Sequence, residues 1–319
     1  MKQIYTYGSY LKDKFDAKVY KVGINISGFT CPNIDGTVAK GGCTFCENDS
    51  FSASTDEVQE LKSFHLNLHS KENPYLDKQL GQLKSQFDAI SKRQAKEYGA
   101  KKFLVYFQSF TNTYAPFETL KALYEKALSF DNVVGLSIGT RSDSITQETL
   151  DYLALLNEDK EIWVEFGIQS VYDKTLLKIN RGHDSANVKE WILKSKEAGL
   201  NVCGHLIFGL PNETQDMMLE TSRAAYSWGI DSVKYHPLYV VKRTALANEF
   251  NRGEFRPISE EEYLKVLVKS IEMKPENVSV QRVTAGIDDD SLLAPSWCRN
   301  KNTQIKNINA TLKNIGLKY

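Results

Sequence analysis

Between residues 18 and 235 two periodicities take turns, and that alternation restricts the chain to a few folds. Short runs rich in β-branched and aromatic residues at 18–26, 102–107, 133–138, 162–167, 202–208 and 232–235 read as strands. Between them, apolar residues recur at helical spacing over 74–98, 117–129, 146–156, 186–198 and 214–228. In the first helix Leu76, Leu80, Leu83, Phe87 and Ile90 share one face, and Gly99 stops it. Strands alternating with helices call for βαβ units and a parallel sheet, either curled into a partial barrel or open and doubly wound. Residues 5–16 read as a short helix or loop. Beyond residue 250, a helix at 259–272, a strand at 278–280 and a helix at 301–315 form a tail of different character. The expected division is a lead-in over 1–17, a core domain over 18–250 and a C-terminal α/β extension over 251–319.

The loop after the first strand carries three of the five cysteines, Cys31, Cys43 and Cys46. Gly36, Gly41 and Gly42 let that loop turn tightly enough to aim three thiolates at one point. Such a loop binds metal. Structural zinc needs four ligands, usually as two close pairs, and here the pair Cys43/Cys46 has only Cys31 beside it, with no histidine before His65. On a four-iron cluster three cysteines leave one iron for a small molecule. A non-catalytic iron–sulfur or zinc binding module is the alternative from another class.

Composition narrows the setting. Lysine plus arginine equals aspartate plus glutamate at 40 each, so no global positive field announces a nucleic-acid partner and any such role rests on local patches. The start, Met1-Lys2-Gln3-Ile4-Tyr5, has no apolar signal region, and no apolar run approaches the roughly 18 residues of a membrane span. A cytoplasmic protein with no membrane partner is expected. The odd cysteine count, with Cys203 and Cys298 left over, fits a reducing compartment.

The spacing Cys31-x11-Cys43-x2-Cys46, with Phe45 before the third cysteine, resembles the cluster loop of radical S-adenosylmethionine (SAM) enzymes. Its long first gap is similar to the branch that holds the Elongator catalytic subunit and, more closely, the bacterial YhcC/YtqA-type proteins. Gly28-Phe29-Thr30-Cys31-Pro32-Asn33, Glu165-Phe166-Gly167-Ile168-Gln169-Ser170, Asn180-Arg181-Gly182-His183 and Phe208-Gly209-Leu210-Pro211-Asn212-Glu213-Thr214 carry the same likeness over nearly the whole chain. The resemblance implies a partial (β/α)6 barrel with a C-terminal α/β extension. It also implies a [4Fe-4S] cluster held by Cys31, Cys43 and Cys46, and reductive cleavage of SAM to a 5′-deoxyadenosyl radical. A donor such as flavodoxin or ferredoxin would supply the electron. Elongator-type relatives point to the wobble uridine of tRNA as substrate, and coproporphyrinogen-type relatives to a small-molecule or tetrapyrrole alternative.

In a parallel barrel, reacting residues come from the carboxyl ends of strands. After the second strand, Gln108, Ser109 and Thr111 can hydrogen-bond a ligand where the wider superfamily has a glycine-rich turn that meets the amino group of SAM; an ordinary polar turn is the other reading. After the third come Thr140 and Arg141, in a stretch similar to the Glu-Thr-Arg-Pro-Asp of Elongator-type enzymes. Arg141 either grips a carboxylate or phosphate or pairs with Asp143 or Glu148. Gln169 and Arg181, with Phe45, are SAM contacts by resemblance. His205, on the fifth strand, stands where relatives have a ribose-binding acid, or is a satisfied core residue. Lys234, His236, Tyr239, Lys242 and Arg243 interleave basic and aromatic side chains. With Trp297 as a stacking surface and Arg299 and Lys301 nearby, they are the candidate tRNA contacts at the barrel mouth. Trp297 sealing the barrel is the alternative.

Overall fold

A computed structural model describes residues 1–47 and 64–319. In chain order the elements are β1 (Lys2–Gln3), α1 (Tyr7–Phe15), β2 (Val19–Ile24), α2 (Leu76–Tyr98), β3 (Lys102–Phe107), α3 (Phe117–Leu128), β4 (Val133–Thr140), α4 (Gln147–Leu156), β5 (Glu161–Gln169), α5 (Asp173–Lys178), α6 (Ser185–Glu197) and β6 (Asn201–Phe208). Then follow α7 (Gln215–Ser227), β7 (Ser232–Pro237), β8 (Val240–Val241), α8 (Ala245–Asn251), α9 (Glu260–Glu272), β9 (Ser279–Arg282), β10 (Leu292–Ala294), α10 (Lys301–Asn314) and β11 (Leu317–Lys318).

One curled parallel sheet of seven strands, ordered β2-β3-β4-β5-β6-β7-β9, organises the chain as a half-barrel. The six strands expected between residues 18 and 235 are all present. The seventh, β9, comes from the tail and continues the sheet, pairing Ser232 with Ser279 and Val233 with Val280. The short helix α5 was not foreseen.

Alternation along the strands divides the sheet into two faces. Val22, Ile24, Val105, Phe107, Leu136, Ile138, Val164, Phe166, Val202 and Leu206 belong to the main apolar core. The intervening positions fill the barrel in layers. At its lower end Leu104, Trp163 and Cys203 pack with Tyr7 and Leu11 of α1. The Tyr7 ring meets Trp163 edge-on at 5.0 Å, so α1 plugs that end. Above this apolar plug lie Lys21, Tyr106, Ser137, Glu165, His205 and Lys234, a polar layer whose groups bond one another.

The loop leaving β2 is anchored by one face of α2. Gln86 accepts from Asn25 N at 3.0 Å and donates to Asn25 O at 2.8 Å, Gln82 accepts from Ser27 N at 2.9 Å, and Gln79 donates to Ser27 O at 2.8 Å. Three glutamines one helical turn apart thus satisfy backbone that has left the sheet, where unpaired groups would carry a desolvation cost. Their register sets where the cysteine loop begins.

Two glycines give a stability test of opposite signs. A Cβ on Gly135 would lie 1.9 Å from the Glu161 carbonyl oxygen of the neighbouring strand, whereas a Cβ on Gly81, inside α2, meets nothing within 4 Å. Gly135→Ala is expected to destabilise the protein by more than about 3 kcal/mol, and Gly81→Ala to stabilise it by about 1 kcal/mol. Urea unfolding of both variants checks this; a Gly135→Ala midpoint equal to wild type would contradict the strand packing.

Candidate active site

Cys31, Cys43 and Cys46 line one cavity at the upper end of the half-barrel, together with Gln108, Thr111, Thr140, Arg141, Gln169, Arg181 and His205. Tyr106, Phe110, Gly139, Glu165 and Gly167 complete the strand side of its wall. None of the five cysteines is in a disulfide.

The cysteine loop folds through tight turns, with Ile34 N donating to Cys31 O at 2.8 Å and Cys46 N to Cys43 O at 2.9 Å. Asn33 ties it to the turn after α5, donating to Asn180 O at 2.5 Å and Arg181 O at 2.9 Å and approaching Cys43 Sγ at 3.6 Å. Gly182 permits this approach. Its φ is +83°, and a Cβ there would stand 2.3 Å from Asn33 Oδ1. A second tie runs from Tyr114 OH to Thr37 Oγ1 at 2.8 Å, joining the loop to the turn after β3.

Packed beside two other thiols, Cys46 resists ionisation. Burial first, and then the neighbouring Cys43 and Cys31, push the Cys46 thiol up to about 12, against a lowering by Arg181 and Arg141. A cationic centre bound to all three sulfurs reverses that repulsion. The soft donor set, its convergence on one cavity and the arginines behind it fit an iron–sulfur cluster.

Beside the thiols stand polar atoms for a second, polar ligand. The β5–β6 register shifts between Gly167 and Gln169, and Gln169 adopts a φ of +64°, so a bulge re-aims its side chain at the strand end. Gln169 Oε1, Arg141 Nη1 and Arg181 Nε are buried without a partner. Such atoms in a cavity wall suit a ligand with charged and hydrogen-bonding groups of its own. Arg181 donates to Gly167 O at 2.9 Å and reaches Cys43 Sγ at 3.7 Å. Arg141 pairs with Asp143 through Nε at 2.8 Å and Nη2 at 2.5 Å, and also donates to Arg181 O at 2.7 Å. The ion-pair reading of Arg141 is therefore the one realised, with one guanidinium nitrogen left facing the pocket wall. Thr140 Oγ1 lies 2.6 Å from Thr113 Oγ1.

Some predicted residues stand elsewhere. Phe45 packs on the second apolar cluster, around Leu176, Ile179 and Leu210, rather than in the cavity wall. Ser109 is buried outside the cavity lining. Lys234 is not at the mouth: only 3% exposed, it ion-pairs with Glu165 and donates to Tyr106 OH at 3.0 Å. Its position on β7 alternates inward, and an inward ammonium needs a carboxylate. Tyr239 is buried with Val241, Ile287, Leu292 and Cys298. Trp297 is half-buried, its indole donating to Ile258 O at 3.1 Å and its ring tilted on Tyr263 at 5.3 Å, contacts that suit the sealing role. His236 lies beside His205, ring centres 5.9 Å apart. Lys242, Arg243, Arg299 and Lys301 are exposed, with Arg243 paired to Glu47.

Sequence reasoning passed over Glu165 itself. It is 1% exposed and accepts from Ser137 Oγ at 2.6 Å and meets His205 Nε2 at 2.8 Å, with Lys21 and Lys234 paired to it as well. Burial alone raises the carboxyl, but Lys21, then Lys234 and His205, hold it well below the usual carboxylate range. The signal was available: charged residues at inward positions of otherwise apolar strands, at 21, 165 and 234.

Residues 36–225 match the Radical SAM superfamily and residues 230–314 its Radical SAM C-terminal domain. The chain is a member of the radical SAM superfamily. YtqA of Bacillus subtilis is 36% identical over 315 residues, which is 99% of this chain and 91% of that protein. A tRNA uridine(34) acetyltransferase of Methanocaldococcus infernus is 29% identical over 157 residues, 48% of this chain but 29% of its own length. Among solved structures, M. infernus Elp3 lacking its N-terminal residues superimposes with a TM-score of 0.59 at 19% identity, over 95% of this chain and 64% of that one, a likeness of fold. This radical SAM enzyme therefore uses a [4Fe-4S] cluster and SAM, as its family does; the three thiols and the unpaired polar atoms of Arg141, Gln169 and Arg181 in the cavity wall are the groups whose chemistry fits them. No helix among the described residues is long and apolar enough to cross a membrane.

The two ligand sets separate experimentally. Cys43→Ala is expected to abolish iron and sulfide loading. Gly167→Ala, whose Cβ would lie 2.6 Å from Gln169 Nε2 and 2.7 Å from Arg181 Nη2, keeps the iron and weakens SAM binding at least about tenfold, or 1.4 kcal/mol. Metal analysis after anaerobic reconstitution, followed by SAM titration, reads both. Zinc without a charge-transfer band, or full iron in Cys43→Ala, would contradict the cluster assignment.

Proposed function

We propose that this radical SAM enzyme modifies the wobble uridine of tRNA in the cytoplasm. The observation that carries the reading is its likeness to the tRNA uridine(34) acetyltransferase of M. infernus. Held by Cys31, Cys43 and Cys46 and by the polar cavity wall, cluster and SAM would supply radical hydrogen-abstraction chemistry. The protein's share is to orient and to shield. Arg141, Gln169 and Arg181 hold the polar end of SAM, Gln108 and Thr111 bound it on the β3 side, and the apolar plug under the polar layer keeps water from entering below. Flavodoxin or ferredoxin is the proposed electron donor.

The test compares tRNA nucleosides, by mass spectrometry, from cells with and without the protein. A wobble-uridine derivative is expected to disappear, or its precursor to accumulate, in the deleted strain. Identical nucleoside profiles would overturn the proposal and turn attention to a small-molecule or tetrapyrrole substrate.

The burial of Lys234 changes which cations can meet phosphate. Lys242 and Arg299 are exposed and both help to lower the Asp289 carboxyl, after its bonds to Ser291, so they lie on one patch. Lys242→Ala and Arg299→Ala are each expected to weaken tRNA binding and reduce the slope of log affinity against log salt by about 0.9. Trp297→Ala leaves the slope unchanged and lowers thermal stability instead. Equal slopes for wild type and both charge variants would remove this patch from the interface.

A further inference from the structure

The polar layer beneath the cavity holds a pair that the cluster and SAM donors do not include. His205 Nε2 lies 2.8 Å from Glu165 Oε2, and both residues line the cavity. Lys21 and Lys234 flank the same carboxylate, so it is an anion and an acceptor only. An acceptor-only partner fixes the shared proton on His205 Nε2, leaving Nδ1 as a lone-pair acceptor. Among the described residues Nδ1 has no protein partner, although the side chain is 21% exposed.

The surroundings keep the ring neutral. From its own strand and its neighbours it faces Glu165, Lys234, Lys21, Arg282, His236, Tyr106 and Cys203. Burial first and Lys234 next lower the ring to about 4, against the opposing pull of Glu165. His236 is lowered further, by burial and then Arg282. Cys203 does not turn the trio Glu165, Cys203 and His205 into a metal site, because two ammonium groups already occupy the carboxylate and burial pushes that thiol up to about 12.

We infer that His205, fixed by Glu165 as its Nε2–H tautomer, is a substrate-recognition residue whose Nδ1 accepts a hydrogen bond from an N–H donor of the group entering the cavity, the imide N3–H of a uracil base. The choice of base rests on the proposed tRNA substrate; the tautomer does not. A uracil imide offers one such donor, flanked by two carbonyl acceptors. Glu165 acts through His205 and is a positioning residue. Lys21 and Lys234 keep it ionised, and α1 seals the layer from below.

The experiment uses the full chain labelled with ¹⁵N-histidine, with long-range ¹H–¹⁵N spectra recorded between pH 5 and pH 9. One histidine, identified by its loss in His205→Gln, is expected to stay neutral with its proton on Nε2 throughout. An imidazolium at pH 6, or a proton on Nδ1, overturns the inference whatever the substrate is. Uridine and 3-methyluridine at equal concentration are then added in the presence of SAM. The Nδ1 resonance is expected to shift with uridine and not with 3-methyluridine. A full shift with SAM alone, or the same response to both nucleosides, overturns it by assigning Nδ1 to the cofactor or to no donor at all. Failure of the tRNA reading is a separate event, seen as unchanged nucleosides in the deletion strain. Glu165→Gln adds a readout that a purely structural residue would not move: a carboxamide donating to Nε2 transfers the proton to Nδ1. If that variant does not fold, the wild-type tautomer still decides.

Discussion

The Glu165 carboxylate is the interaction around which the half-barrel closes. It stands on the central strand and is met by Lys21 from β2, Ser137 from β4, His205 from β6 and Lys234 from β7. Side chains from strands as far apart in the sheet as β2 and β7 reach one group only if the sheet curls, so this carboxylate and the curvature require each other. Its burial carries a desolvation cost that two ammonium groups and two hydrogen bonds offset. Taking away one partner of such a set leaves a buried charge uncompensated, at a cost of about 3–5 kcal/mol. The layer therefore specifies a shape more than it adds stability.

That shape positions the chemistry above it. Glu165 sits four residues before Gln169, so one strand supports both the polar floor and the bulged residue at the cavity rim. Arg181, which bonds Gly167 on the same strand, supports Cys43, and Asn33 joins the cysteine loop to the Arg181 carbonyl. The thiols are held from two sides: by this turn, and by the glutamines of α2 that fix where the loop leaves the sheet. A loop of many residues with apolar packing on one side alone would not place three sulfurs together.

Much of this was legible in residue order, and what was not has a physical cause. Strand and helix alternation announced the parallel sheet because burial on both faces writes continuous apolar runs. The cysteine spacing announced the metal loop because few other uses need three thiols with glycines between them. Lys234 misled because it was read with the basic and aromatic residues that follow it in the chain and not by its place in a strand. Period-two alternation through Val233, Lys234 and Tyr235 would have placed Lys234 opposite its apolar neighbours, inside the barrel. Partnership with Glu165 was not legible at all, since it joins residues far apart in the chain. The strand expected at 278–280 is present as β9, but its place in the main sheet was not legible, because three residues of β-propensity in a tail say nothing about which edge they will extend.

The division of labour within the cavity follows from where charge is left over. Near the thiols the spare groups are cationic or carboxamide, Arg141, Arg181 and Gln169, suited to a ligand carrying its own carboxylate and hydroxyls. On the floor the cations are already spent on Glu165, and what faces upward is a neutral imidazole and a phenol, Tyr106, raised well above its ordinary value by burial and Glu165. A neutral floor favours a neutral reacting group and disfavours phosphate, which under the proposed tRNA reading falls to exposed cations such as Lys242 and Arg299. A polymeric substrate can satisfy both demands at once, with its backbone outside and one base inside. A small anionic substrate would have to bring its charge to a floor where the two lysines are already engaged, and that mismatch is the physical argument that favours the proposed nucleobase over a small anion.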